Sequence, residues 1–103
     1  MEAKTKWLSL WLDDVREAPK GWVWVKNMDQ FRTACEVFNG EILRISFDND
    51  LGAGEREGWE IANWLLREVK EERIQKPEII EVHSMNPVAR DRIKMTAKDI
   101  LGA

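Results

Sequence analysis

Three short polar clusters in this chain carry the groups that phosphate chemistry needs: Asp13-Asp14, Asp48-Asn49-Asp50, and His83-Ser84 with Asn86. Carboxylates gathered in one place bind hard divalent cations through oxygen, and Mg²⁺ is commonly held by one or two carboxylates together with waters and a phosphate. A cation held that way polarises a phosphoryl group and clamps its developing charge. His83 is the only histidine; an imidazole, with an ordinary pKa of about 6.5, can give or take a proton near neutrality. Asn86-Pro87 opens a helix, and helix N-termini attract phosphate. Arg90 lies one turn further in. Each residue also has a plainer reading: a solvated acid pair for Asp13-Asp14, a turn residue for Asp50, a loop hydroxyl for Ser84, an N-cap for Asn86, a hydrogen-bonded structural imidazole for His83.

Hydrophobic periodicity supplies the elements that must position these clusters. Residues 7–12 (WLSLWL) and 22–25 (WVWV) read as strands, joined by a loop holding Pro19 and Gly21. Asn27 caps a helix in which Met28, Phe31, Cys35 and Phe38 recur at helical spacing, with Gly40 as its stop. Residues 42–47 (ILRISF) form a third strand. After a loop in which Gly52, Gly54 and Gly58 supply turns comes a helix from about Trp59 to Arg73, striped by Ala62, Leu65, Leu66 and Val69. Residues 79–82 (IIEV) form a fourth strand, and a last helix follows Asn86-Pro87. Strands alternating with helices predict a small three-layer α/β domain over 1–103, a mainly parallel four-stranded sheet with helices on both faces. The first connection, Asp13 to Gly21, is short for a helical crossover, which leaves the pairing of the second strand open. Ligands of open parallel sheets bind at the carboxyl ends of the strands, where all three polar clusters fall.

Neighbouring strands lie about 4.8 Å apart, so acids on adjacent strand ends approach within about 5 Å. At an effective dielectric of about 20 one such pair repels by roughly 3 kcal/mol. Three or four acids there call for compensation by a cation, by protonation, or by nearby Arg and Lys. Alternation along the extended segment lets Asp48 and Asp50 point one way while Asn49 points the other.

Composition narrows the classes. The 103 residues are 44% hydrophobic and 34% charged, with no apolar run near the roughly 18–20 residues of a membrane span. A lone Cys35 excludes an internal disulfide framework, and the absence of a cationic-then-apolar N-terminal stretch makes a reducing cytoplasm the expected setting. The net charge of −3 divides into +2 on residues 87–103 and −5 on the remainder, which argues against a broad nucleic-acid surface and for a small anionic ligand. The six tryptophans, Trp7, Trp11, Trp22 and Trp24 on predicted strands and Trp59 and Trp64 on the long helix, read mainly as core.

Acids after the first strand (Asp13, Asp14), an acid after the third (Asp48) and a hydroxyl after the fourth (Ser84) resemble the receiver domains of response regulators, a flavodoxin-like fold. That resemblance implies Mg²⁺ on the acid pair and a phosphoacceptor role for Asp48. The chain lacks the receiver's fifth strand-helix unit with its lysine. A closer resemblance covers nearly the whole chain. LWLDDVREAPKGWVWVK (10–26), ISFDNDLG (45–52), EGWEIANWL (57–65) and VHSMNPVARDRI (82–93) are similar to the cyclic-phosphate-processing receiver-like domains. That family is proposed to handle cyclic phosphates on nucleotides or ADP-ribose derivatives. Its third-strand motif usually has His where this chain has Asn49, and Ala is commoner where Met85 stands.

The resulting expectation is a metal-dependent enzyme that opens or removes a phosphate ester. Asp13, Asp14 and Asp48 hold Mg²⁺; Asp48 or Asp50 attacks phosphorus or orients water; His83 protonates the leaving oxygen. Ser84, Asn86 and Arg90 bind phosphate oxygens, with Lys26 a further contact. The alternatives are a non-catalytic module that sequesters a nucleotide, which Asn49 favours, and a degenerate phosphoacceptor switch, which the missing fifth strand disfavours. Nothing in the sequence sets an oligomeric state.

Overall fold

The computed structural model describes residues 5–103. Seven elements follow in order: β1 (Leu8–Leu12), β2 (Val23–Val25), α1 (Met28–Val37), β3 (Ile42–Phe47), α2 (Gly58–Lys70), β4 (Ile79–Val82) and α3 (Pro87–Leu101). Their ends follow local chemistry. Asn27 caps α1 by accepting from the Gln30 N–H, and Asn86 caps α3 by accepting from Val88 and Ala89 N–H at 3.1 Å each. α2 opens with a capping box between Glu57 and Glu60. It ends at Lys70, short of the expected end near Arg73, because Glu72 turns into the left-handed region at φ 60°.

The sheet is parallel throughout, in the order β2-β1-β3-β4. The short second strand therefore pairs with β1 and forms one edge. The chain starts inside the sheet, steps left to β2 through a loop, then moves right across β1 to β3 and on to β4. The direction reverses between β1 and β3, and such a switch point is where doubly wound sheets open a ligand crevice.

Parity along the strands divides the sheet into two faces. Leu8, Leu10, Leu12, Ile45 and Phe47 point to one face and are buried. Ser9, Trp11, Arg44, Ser46, Glu81 and His83 fall to the other. The right-handed crossovers β2-α1-β3 and β3-α2-β4 run in the same direction, so both helices lie on one face. Phe31 of α1 confirms this, meeting Phe47 at 5.5 Å and Trp64 of α2 at 6.1 Å between ring centroids. α3 packs beside α2 and sends Ile93 and Ile100 into the same core.

The four-stranded parallel α/β architecture is thus the expected one, but its layering is not the three-layer arrangement. Among the described residues all three helices cover one face, because the β1–β2 connection over the other is too short to carry a helix. The tryptophans follow from this. Only Trp64 is buried; Trp11, Trp22 and Trp24 are half-buried on the helix-free face, and Trp7 is 57% exposed. Among the described residues no helix is long and apolar enough to cross a membrane.

Candidate functional site

The three clusters meet because of register. Leu12 pairs with Phe47 and Phe47 with Val82, so one residue further along each strand aligns Asp13, Asp48 and His83 in a row across the carboxyl edge. The backbone keeps the alignment past the strands, with Asp48 N–H donating to Leu12 O at 2.9 Å and His83 N–H to Phe47 O at 3.0 Å. All three share the parity of the helix-free face. Each offers one donor atom, and these atoms lie within 4.8 Å of one another, a candidate metal-binding triad. In front of Asp13 and Asp48 opens a cleft of about 700 Å³, lined also by Asp14, Val15, Arg16, Asp50, Gly52, Ser84, Met85 and Asn86.

The buried polar residues of the fold are concentrated here: Asp13, Ser46, Asp48, Asn49 and Ser84. Buried polar groups persist when they are hydrogen-bonded, and most of these are. Asp13 Oδ1 accepts from Val15 and Arg16 N–H at 2.9 and 2.8 Å. Its Oδ2 faces His83 Nε2 at 3.0 Å, with Arg16 Nε at 4.0 Å. His83 Nδ1 meets Ser46 Oγ at 2.7 Å, and the imidazole lies flat on Trp11, 3.8 Å between centroids and 5° between planes. Asn49 turns to the helix side, where its Oδ1 accepts from Trp59 N–H at 3.2 Å, so the residue between the two acids anchors α2.

Asp48 is the site's unbalanced charge. Burial pushes its carboxyl above the ordinary 3.8; the Asn49 backbone N–H pulls it down, the Asp13 charge pushes it up, and His83 and Arg16 pull it down again. A cation between Asp13 and Asp48 relieves both the burial and the repulsion, so the donor set fits a hard divalent ion.

Of the residues singled out from sequence, Asp13, Asp14, Asp48, Asp50, Ser84 and Asn86 line the cleft. Several also hold the backbone: Asp50 Oδ1 faces Gly52 N–H at 3.4 Å, Ser84 Oγ accepts from Asn86 N–H at 3.2 Å, and Asn86 caps α3. His83 stands behind Asp13 and does not form the cleft wall. Arg90 and Lys26 are not brought to it either, and the Lys26 ammonium sits 4.4 Å over the Trp24 ring.

Four residues escape the sequence reading. Arg16 reaches the cleft and bonds His83 O at 3.1 Å. Ser46 and Trp11 hold His83; strand parity, which places them on its face, is the signal that finds them. Gly58 reads as a turn glycine but is a packing one: a Cβ there would lie 1.9 Å from Asp48 O, and its N–H bonds Asn49 O at 2.8 Å. Only glycine lets the start of α2 press this close against the acid-bearing loop.

The strand order 2-1-3-4, the acids at the first and third strand ends and the hydroxyl after the fourth define a receiver-like α/β domain. The family model described as the cyclic-phosphate processing receiver domain matches residues 8–99, and the chain belongs to that family. Searches among curated proteins and among solved structures returned no match.

Proposed function

We propose that this chain binds a divalent cation, Mg²⁺ in the first instance, and uses it to open or hydrolyse a cyclic phosphate on a nucleotide or ADP-ribose derivative. The observation that carries the reading is the meeting of two buried carboxylates, Asp13 and Asp48, at the switch-point cleft of a domain from a cyclic-phosphate-processing family. Asp13 and Asp48 hold the cation, with Asp14 at the cleft rim. When bound it supplies Lewis-acid polarisation of the phosphoryl group. Arg16, with a half-exposed side chain, offers a guanidinium to phosphate oxygens. Ser84 accepts one bond through Oγ and keeps its own proton to donate. Asp50, exposed at the mouth, orients the attacking water. His83, whose ring nitrogens are both engaged and which does not line the cleft, is not the proton donor; the proton released by the attacking water reaches the leaving ring oxygen through solvent in the open cleft.

That engagement, with Asn49 turned to α2, favours a second reading: a module that binds a small anionic nucleotide-like ligand without converting it. Incubation with Mg²⁺ and a panel of 2′,3′-cyclic nucleotides, cyclic dinucleotides and ADP-ribose cyclic phosphate separates the two. Turnover that vanishes in Asp48→Asn supports the enzyme; tight binding with the ligand recovered unchanged refutes it in favour of the module.

A further inference from the structure

We infer that Ser46, His83 and Trp11 form a positioning group that aims the Asp13 carboxylate at the cation, and that His83 is not itself a ligand. The inference rests on the cation-binding reading above and assigns residues to it. Ser46 is 1% exposed and cannot meet a substrate. Its Oγ lies 2.7 Å from His83 Nδ1, and its hydroxyl proton, donated there, leaves the ring proton on Nε2. Nε2–H then donates to Asp13 Oδ2 at 3.0 Å. The Trp11 indole, stacked at 3.8 Å, fixes the ring plane, and its own N–H is tied to Arg16 O at 2.9 Å.

The lone pairs of Asp13 complete the argument. An ionised carboxylate has about four acceptor directions. Oδ1 spends two on Val15 and Arg16 N–H, and Oδ2 spends one on His83. One direction on Oδ2 is left for a cation shared with Asp48. Releasing the ring to bind metal through Nε2 removes the bond that holds Asp13 in place, and a hard cation prefers oxygen. The arrangement inverts the common pattern in which a carboxylate orients a metal-bound histidine: here a histidine orients a metal-bound carboxylate.

The single histidine makes the test specific, because ¹⁵N-histidine labelling gives signals from His83 alone. In metal-free protein, at a pH where the ring is neutral, we expect the Nε2–H tautomer, and in Ser46→Ala a displaced Nδ1 signal, because that nitrogen loses its donor while Asp13 Oδ2 still accepts from Nε2–H. An Nδ1–H tautomer in the unaltered protein overturns the inference. Mn²⁺ titration by electron paramagnetic resonance supplies the second arm: Ser46→Ala weakens binding by about tenfold or more, and Ser46→Thr, which keeps the hydroxyl, restores it. Unchanged affinity in Ser46→Ala overturns the inference, as does a strongly coupled, directly ligated nitrogen in the unaltered protein, a measurement that needs no variant. If the unaltered protein binds no Mn²⁺, the cation-binding reading itself falls and takes this inference with it, whichever tautomer is seen.

Discussion

Asp48→Asn should make the metal-free protein more stable while removing its response to Mg²⁺. Asp13 and Asp48 place donor atoms within 4.8 Å of each other in the wall of the cleft. At an effective dielectric of about 20 that repulsion is about 3 kcal/mol, partly offset by Arg16, His83 and the Asn49 N–H. Neutralising Asp48 without changing its shape should therefore return about 1–2 kcal/mol, which for a domain of this size is a rise in Tm of roughly 5–10 °C. The pH dependence has a definite sign. Because the folded protein holds the Asp48 proton more tightly than the unfolded chain, the cost is absent below the ordinary value of 3.8 and grows as pH rises through the interval up to the folded-state pKa. The stability gap between variant and parent should open over that window and stay open at neutral pH. Differential scanning calorimetry in EDTA, repeated with excess Mg²⁺, reads both effects. A cation at about 100 times its Kd adds about 2.7 kcal/mol to the parent and little to the variant. A variant less stable than the parent in EDTA at neutral pH refutes the reasoning.

Gly58→Ala places a methyl 1.9 Å from Asp48 O and should cost about 3 kcal/mol in urea unfolding, since backbone has to move to admit it. Asn86→Ala leaves Val88 and Ala89 N–H uncapped, and a loss of about 1 kcal/mol by the same measurement is expected. The Cys35 thiol, pushed up to about 12 by burial and then by Glu36, should be inert to an aromatic disulfide reagent in the folded state and react fully once the chain is unfolded.

Much of the fold was legible because its signals are local. The caps Asn27 and Asn86 and the runs ILRISF and IIEV set α1, α3, β3 and β4 at or near their observed limits. The layering was not legible, because it depends on the direction in which successive crossovers traverse the sheet, a property of strand order. The mistaken core assignment of the tryptophans has the same origin: a strand residue is buried only if something covers its face. The candidate site divides along the same line. The acids and Ser84 announce themselves by type and by position at strand ends. Ser46, Trp11 and Arg16 do not, since a serine and a tryptophan inside strands look like filler until the register with Asp13 and His83 is known. Gly58 stayed hidden because its necessity lies in the distance to Asp48 O, a contact across ten positions of chain.

The parity of the strands has an evolutionary consequence. Residues that pack the core and residues that build the polar row alternate along the same few strands, Leu10 and Leu12 against Trp11 and Asp13, Ile45 and Phe47 against Ser46 and Asp48. Along the strands, a substitution in one set points its side chain away from the other set. Selection on ligand preference can therefore act on the helix-free face while the hydrophobic layer drifts under a separate constraint, and relatives of this domain can diverge in chemistry without having to re-solve their packing.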